Sequence, residues 1–258
     1  MVKEKIKFIA DRLGYQVRKK SPLFCEKASE ASDVINTVRP YTMLSHERLL
    51  SLFTQVEFCE NAEIPGCYVE CGVWKGGSVG LMAMANMKYG VQPRHLHLFD
   101  SFQEICEPDA SVDGERAINE VKSRSTGGVN GELKPLSGIY DSFGGPGSLE
   151  GNKMLLEKII GYDPSYVHYH KGWFQDTLPE VTNIDKIAIL RLDSDWYAST
   201  KICLEHLYDK VVPGGFIIID DYGTYEGCRK AVDEYIYNNN IKAYFNYVDM
   251  VCGYWIKP

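Results

Sequence analysis

Two apolar runs in the second half of the chain each end in acids: Ile187 to Leu192 leads into Asp193 and Asp195, and Phe216 to Ile219 leads into Asp220 and Asp221. Near-continuous runs rich in branched residues, bounded by polar signals, predict strands buried on both faces. Between them, Ser199 to Lys210 has the composition and spacing of a helix. The same alternation extends in both directions. Cys67 to Val73, His95 to Phe99 and Tyr166 to His170 are predicted strands. A helix is predicted from the glycine turn after Val73 through about Tyr89, another opens at Trp173 to Leu178, and a third covers Glu226 to Asn238. Two closing runs, Ala243 to Val248 and Cys252 to Ile256, predict an antiparallel pair around Asp249 and Met250. Upstream, Ile6, Ile9, Leu13 and Val17 mark an amphipathic helix over Lys3 to Lys20. Met43 to Cys59 predicts a second helix, N-capped by Ser45, with Leu49, Leu50, Leu52 and Phe53 on its apolar face.

Strands alternating with helices predict an α/β domain with a doubly wound, mostly parallel sheet; the closing hairpin adds an antiparallel edge. The reading is one domain over 1–258, with a helical extension over 1–62. The alternation is interrupted once, from Ser101 to about Asp163, by the Gly/Ser-rich pieces STGGVNGE and SFGGPGSLEG and a short helix around Met154 to Ile160. An insertion of that length in such a domain is expected to act as a lid or binding loop.

Composition narrows the partners. A net charge of −7 is opposite to the basic excess of a general nucleic-acid binder, so none is expected. No apolar run approaches the roughly 20 residues that span a bilayer, and Lys5, Lys7, Asp11 and Arg12 interrupt the N-terminus where a signal peptide would be apolar. The eight cysteines include no C-x-x-C pair, and several sit in apolar segments, as reduced structural thiols do. A cytoplasmic location is expected, and the N-terminal helices are the predicted element of any homo-oligomer.

Open α/β sheets bind ligands beyond the carboxyl ends of their strands. With the two acid-bearing strands as neighbours, Asp193, Asp195, Asp220 and Asp221 meet at one rim, where four negative charges call for a cation. Their hard oxygen donors suit Mg²⁺. A second signal lies between the first strand and its helix, in Glu70-Cys-Gly72-Val73-Trp-Lys-Gly76-Gly77-Ser78. Glycines there let backbone approach a ligand and leave helix N–H groups free. The spacing is not the G-x-G-x-x-G of dinucleotide sites. Glu70 suits a ligand bearing an ammonium group, and Asp100 stands where ribose hydroxyls are bound. Together they fit S-adenosylmethionine better than a nicotinamide dinucleotide. Trp173, Trp196 and His170 are expected on the pocket wall, and His95, His97 and His168 as structural residues of the strands.

The stretches YTMLSHERL (Tyr41 to Leu49), YVECGVWKGGS (Tyr68 to Ser78), LFDSF (Leu98 to Phe102), KGWFQDTLP (Lys171 to Pro179), LRLDSDWYASTK (Leu190 to Lys201) and VPGGFIIIDDYG (Val212 to Gly223) resemble the metal-dependent sugar O-methyltransferases of the macrocin O-methyltransferase type. The resemblance implies a class I methyltransferase (Rossmann-like) fold, S-adenosylmethionine as donor, Mg²⁺, and a sugar hydroxyl on a small-molecule or glycan acceptor. It further implies that Asp193, Asp220 and Asp221 bind the metal and that Asp195 is the general base. Cofactor contacts are implied on the turn from Glu70 to Gly77, on Asp100 and Ser101, and near Gly172 and Trp173. Ser194 replaces the Gly of the antibiotic enzymes and Trp196 a smaller aliphatic residue, and Glu104 to Asp163 does not follow them. Two other readings stay open from the residues: a Mg²⁺-dependent enzyme acting on a catechol-like acceptor, and a nicotinamide dehydrogenase or nucleotide-binding protein on a similar sheet.

Overall fold

The computed structural model describes residues 26–258. The chain divides into Met1–Asp33 and Val34–Pro258, and the account below concerns the second unit. The predicted helix over Lys3 to Lys20 lies outside the described residues.

The sheet is built around its apolar runs. Strands β1 (Cys67–Cys71) and β4 (Ile187–Leu192) are buried at every position. With β2 (Leu96–Asp100), β3 (Val167–Lys171) and β5 (Val211–Ile219) they pair in parallel. The full order is β3-β2-β1-β4-β5-β7-β6, where β6 (Asn246–Tyr247) and β7 (Gly253–Ile256) are antiparallel to each other and β7 is antiparallel to β5. The order reverses between β1 and β4, so the crevice beyond their carboxyl ends is where such a sheet takes a ligand. The expected fold class is the one observed.

Helix α1 (Glu26–Val38) precedes α2 (His46–Asn61), which starts three residues later than its apolar spacing predicts. Ser45 is its N-cap as expected, its hydroxyl accepting from Arg48 N–H at 3.2 Å. Leu49, Leu52 and Phe53 are buried, while Leu50 is only half-buried. Helix α3 (Gly77–Tyr89) follows the glycine turn.

The insertion is helical around Met154 to Ile160 as predicted, and it holds more regular structure than that one short helix. It holds α4 (Gly114–Arg124), a 3₁₀ turn at Asp141–Phe143, and α5 (Leu149–Lys153), which continues as a π-helical stretch, Met154–Ile160. Helix α4 escapes detection because it buries only Ala117 and Val121, one turn apart, in an otherwise polar helix. Helix α6 (Phe174–Thr177) is one short turn; α7 (Tyr197–Leu207) ends before Lys210 in a 3₁₀ turn, and α8 (Glu226–Asn238) has the predicted bounds. The predicted run Ala243 to Val248 shrinks to the two-residue β6.

Beneath the sheet's rim, Val69, Leu190, Leu192, Ile217 and Trp255 share one core with Cys203 and Leu204 of α7 and Val232 of α8. Each fully buried aliphatic side chain there contributes about 1.5–3 kcal/mol of transfer free energy. The seven cysteines among the described residues are all free and buried, as predicted from their apolar neighbours. No described helix is long and apolar enough to cross a membrane.

At the β2–β3 edge a histidine ladder replaces the apolar core. His95 Nδ1 faces His168 Nε2 at 2.8 Å, and His97 Nδ1 faces His170 Nε2 at 3.0 Å. His170 stacks on Phe99 with ring centroids 4.1 Å apart. His170 thus belongs to this ladder and not to the pocket wall where it was expected. Burial, with the other imidazoles adding repulsion, holds His97 down at about 3 and His170 at about 4. A depressed histidine leaves the fold stable above the unfolded value of about 6.5 and withdraws that stability as pH falls toward the folded value. Lowering pH from about 7 to about 5 is therefore expected to cost about 2 kcal/mol through His97. Urea titrations at the two pH values would show it, and His97→Leu should flatten the difference; an unchanged slope in that variant would refute the role.

Candidate active site

The ladder hydrogen bonds run one residue beyond the strands. Gly72 N–H donates to Phe99 O (2.8 Å), Asp193 N–H to Cys71 O (2.9 Å), Asp220 N–H to Leu192 O (2.9 Å) and Gly172 N–H to Asp100 O (3.0 Å). Sheet register therefore sets Gly172, Asp100, Gly72, Asp193 and Asp220 side by side along one rim. Gly72 has φ +85°, and a Cβ on it would stand 1.8 Å from Asp193 O, so only glycine fits the junction of β1 with β4.

One buried cation gathers the acids. Arg191, 2 % exposed, projects from the end of β4; its Nη1 donates to Glu70 Oε1 and to Asp193 Oδ2 (3.0 Å), and its Nη2 pairs with Asp220 Oδ1 (2.7 Å). Three neighbouring strands thus each contribute a carboxylate to the same guanidinium. Asp220 also receives Arg48 Nη1 at 3.0 Å, and Arg48 Nε holds Asp249 at 2.7 Å, which ties α2 to the rim. Sequence reasoning passed over Arg191 and Arg48. The available signal was a lone arginine inside an apolar strand, which needs buried carboxylate partners.

Asp220 is therefore set apart from the other rim acids. Asp193, Asp195 and Asp221 each bring a carboxylate oxygen within 4.8 Å of one another. Burial and then the charge of Asp193 push Asp195 well above the carboxylate range, and burial and then Asp195 do the same to Asp221. Burial raises Asp220 as well, but Arg191 and Arg48 oppose the shift. Asp221 Oδ2 is buried without a hydrogen-bond partner. Asp195 sits at φ +54°, a left-handed conformation costly for a residue other than glycine. Three crowded carboxylates with an orphaned oxygen among them fit a hard divalent cation.

On the other side of Gly72, the turn is braced from within. Asp100 Oδ2 accepts from Val73 N–H (2.7 Å) and Trp74 N–H (3.1 Å), and its Oδ1 from Phe102 N–H (2.6 Å). Burial raises Asp100 and these three backbone bonds lower it. Trp74 and Phe102, on either side of it, have φ of +46° and +52°. Asn152 Nδ2 holds Trp74 O at 2.8 Å from the insertion. Gly72, Val73, Trp74, Ser78, Asp100, Ser101, Gly172, Trp173 and Asp193 line a cavity of about 430 Å³, which Asp195, Trp196, Asp220 and Asp221 also border. Glu70, Gly76 and Gly77 do not reach its wall. Glu70 lies beneath it, bonded to Ser78 Oγ (2.5 Å) and Arg191, and burial raises it to about 7 against the pull of that arginine.

The insertion closes the far side with Ile105, Cys106, Ile139, Tyr140, Phe143 and the inner face of α4. Two bonds dock it beside Asp195: Trp196 Nε1 donates to Cys106 O (2.9 Å), and Tyr197 N–H to Asp113 Oδ1 (2.6 Å). Trp196, the departure noted in the sequence, is thereby explained, since an aliphatic residue has no donor for Cys106.

A doubly wound sheet of this order, with a glycine turn after β1 and a carboxylate cluster after β4 and β5, is the arrangement of the class I O-methyltransferases. The chain belongs to the macrocin-O-methyltransferase (TylF) family, whose pattern matches residues 4–130 and 158–257, and it is an O-methyltransferase. It is 33% identical over 219 residues to the demethyldecarbamoylnovobiocin O-methyltransferase of Streptomyces niveus, covering 83% of this chain and 75% of that one. It is 32% identical over 236 residues to the mycinamicin III 3''-O-methyltransferase of Micromonospora griseorubida, covering 90% and 84%. The solved structure of the O-methyltransferase NovP superposes with a TM-score of 0.68 at 32% identity, covering 84% of this chain and 82% of that one. The calicheamicin methyltransferase CalS11, at 18% identity, 93% and 94% coverage and a TM-score of 0.59, shares the fold. The family match includes Glu104 to Asn130, so the part that departs from the family is narrower than Glu104 to Asp163: it is 131–157.

Replacing Arg191 by Met should leave Glu70 and Asp193 without their cation and Asp220 with Arg48 alone. Chemical denaturation is expected to show a loss of about 3–5 kcal/mol, the scale for removing one partner of a buried ion cluster. A loss under about 1 kcal/mol would show that the guanidinium does not hold these acids together.

Proposed function

We propose that this chain moves the methyl group of S-adenosylmethionine to a hydroxyl of a sugar, with Mg²⁺ held at the rim acids. The observation that carries the reading is the single cavity shared by the braced glycine turn and the carboxylate cluster in a member of this family. Its relatives point the same way: their names describe O-methyltransferases, one acting at the 3'' position of mycinamicin III. When bound, S-adenosylmethionine supplies an electrophilic methyl on a sulfonium, and Gly72, Val73, Trp74, Asp100, Ser101, Gly172 and Trp173 are the residues that would hold it. When bound, a divalent ion supplies fixed positive charge that makes a neighbouring hydroxyl easier to deprotonate.

Asp193 and Asp221 are the ligands on which the resemblance and the geometry agree. For the third place the resemblance implies Asp220, whereas the geometry gathers Asp195. Asp220 already has two guanidinium partners, so we assign it to positioning the rim. Asp195 is the third carboxylate of the cluster and has no cation of its own, and its raised affinity for protons suits a group that accepts the acceptor hydroxyl's proton. Trp173, Trp196 and Tyr225 supply flat apolar surface against a sugar ring and exclude water from the reacting atoms. Arg191 keeps Asp193 oriented from below, so the carboxylate does not depend on the ion for its position.

Calorimetric titration with S-adenosylhomocysteine, with NADH as control, tests the donor: micromolar binding of the first and none of the second is expected. NADH binding alone would overturn the assignment. Metal titrations then separate the acids. Asp193→Asn and Asp221→Asn should weaken Mg²⁺ by about 100-fold. Asp195→Asn should keep most metal affinity yet lose about 100-fold or more in turnover. If Asp220→Asn proves as damaging to metal binding as Asp193→Asn, Asp220 is a ligand after all.

A further inference from the structure

Three arginines line the cavity: Arg48, Arg116 and Arg124. Arg48 is spent on Asp220 and Asp249. Arg124 is spent on Glu120 at 2.8 Å. Arg116 has no carboxylate partner among the described residues. Its guanidinium is held over the Tyr225 ring, 5.9 Å from the centroid, at the exposed mouth of the cavity.

The position of Tyr225 gives that cation its meaning. Its N–H donates to Asp221 O (3.1 Å), its hydroxyl donates to Glu120 Oε2 (2.8 Å), and its ring packs edge-on against Trp196, 4.9 Å between centroids. The ring thus touches Trp196, the residue after Asp195, and also carries the Arg116 guanidinium. Arg116 and Glu120 are one turn apart on α4, so the bond from Tyr225 to Glu120 also fixes the helix that presents the arginine.

We infer that Arg116 binds an oxyanion carried by the acceptor, so that the sugar methylated here bears a phosphate ester or a carboxylate. A guanidinium presents a planar fork of donors that matches either group in a bidentate geometry. Among the described residues, Arg116 is the one basic side chain lining this cavity that has no carboxylate partner, which leaves its donors available to an incoming anion. The acceptor hydroxyl lies at the carboxylate cluster and its anionic substituent lies at the Arg116 guanidinium. The inference rests on the methyl-transfer reading above.

The test follows the arginine side-chain Nε–Hε resonances of the protein saturated with S-adenosylhomocysteine, without divalent ions, during titration with inorganic pyrophosphate and separately with glucuronate. One resonance, missing in Arg116→Gln, should shift and saturate. That variant should bind the effective anion about ten-fold more weakly or worse, and Arg116→Lys should recover only part of the loss. The stronger arm names the source, phosphate or carboxylate. Affinity for S-adenosylhomocysteine should be equal in all three proteins. If neither anion moves the Arg116 resonance, the inference is overturned. If Arg116→Gln weakens S-adenosylhomocysteine instead, the arginine serves the cofactor's own carboxylate and the inference is equally overturned, with the methyltransferase reading intact. Failure of the unsubstituted protein to bind S-adenosylhomocysteine would count against the underlying reading and is seen before any anion is added.

Discussion

The rim depends on the guanidinium of Arg191. Glu70, Asp193 and Asp220 stand at the ends of three adjacent strands because the sheet register puts them there, and unneutralised they would repel each other in a site of low dielectric. A single arginine buried at the end of β4 meets all three. Its charge cannot be titrated away at any relevant pH. The consequence is a division of labour among the acids. Glu70, Asp193 and Asp220 have a permanent cation, whereas Asp195 and Asp221 have only each other and Asp193. Some carboxylates of the site are thus compensated by the protein, and others are left to share their repulsion.

Strain marks the same place. Trp74, Phe102 and Asp195 adopt left-handed backbone on either side of the cavity, a conformation that surrounding structure must over-determine. For Trp74 the surroundings are Asp100 and Asn152, which hold its N–H and its carbonyl. For Asp195 they are the next two residues, whose indole and backbone N–H are held by Cys106 and Asp113. The insertion is thus not a cover laid over a finished site. It supplies the bonds that keep the loop after β4 in an otherwise unfavourable shape.

Much of this was legible in the sequence because the signals were strong and local. Continuous apolar runs ending in acids can hardly be anything but buried parallel strands, and a Ser three residues before the next free N–H caps α2. The rest required the third dimension. Helix α4 buries two small apolar residues and looks polar throughout, so periodicity does not reveal it. The role of Asp220 is set by Arg48, 172 residues away, a pairing that no spacing rule encodes. In the register His97 stands opposite His168 and Phe99 opposite His170, and only the pairing of β2 with β3 turns four scattered histidines into a stacked ladder. Trp196 could be seen as a departure from the family, but its partner, Cys106, lies in a segment whose path the sequence left open.

Family membership and individuality meet in the insertion. Residues that match the family build the sheet, the glycine turn and the carboxylate cluster. Cys106 and Asp113, which dock on the loop after β4 through Trp196 and Tyr197, lie in the matched part as well. Ile139, Tyr140 and Phe143 do not: they come from the 131–157 stretch that the family pattern leaves unmatched, and they border the same cavity. What is particular to this chain therefore reaches the cavity wall, whereas the bonds that hold the loop after β4 in its left-handed shape rest on matched sequence.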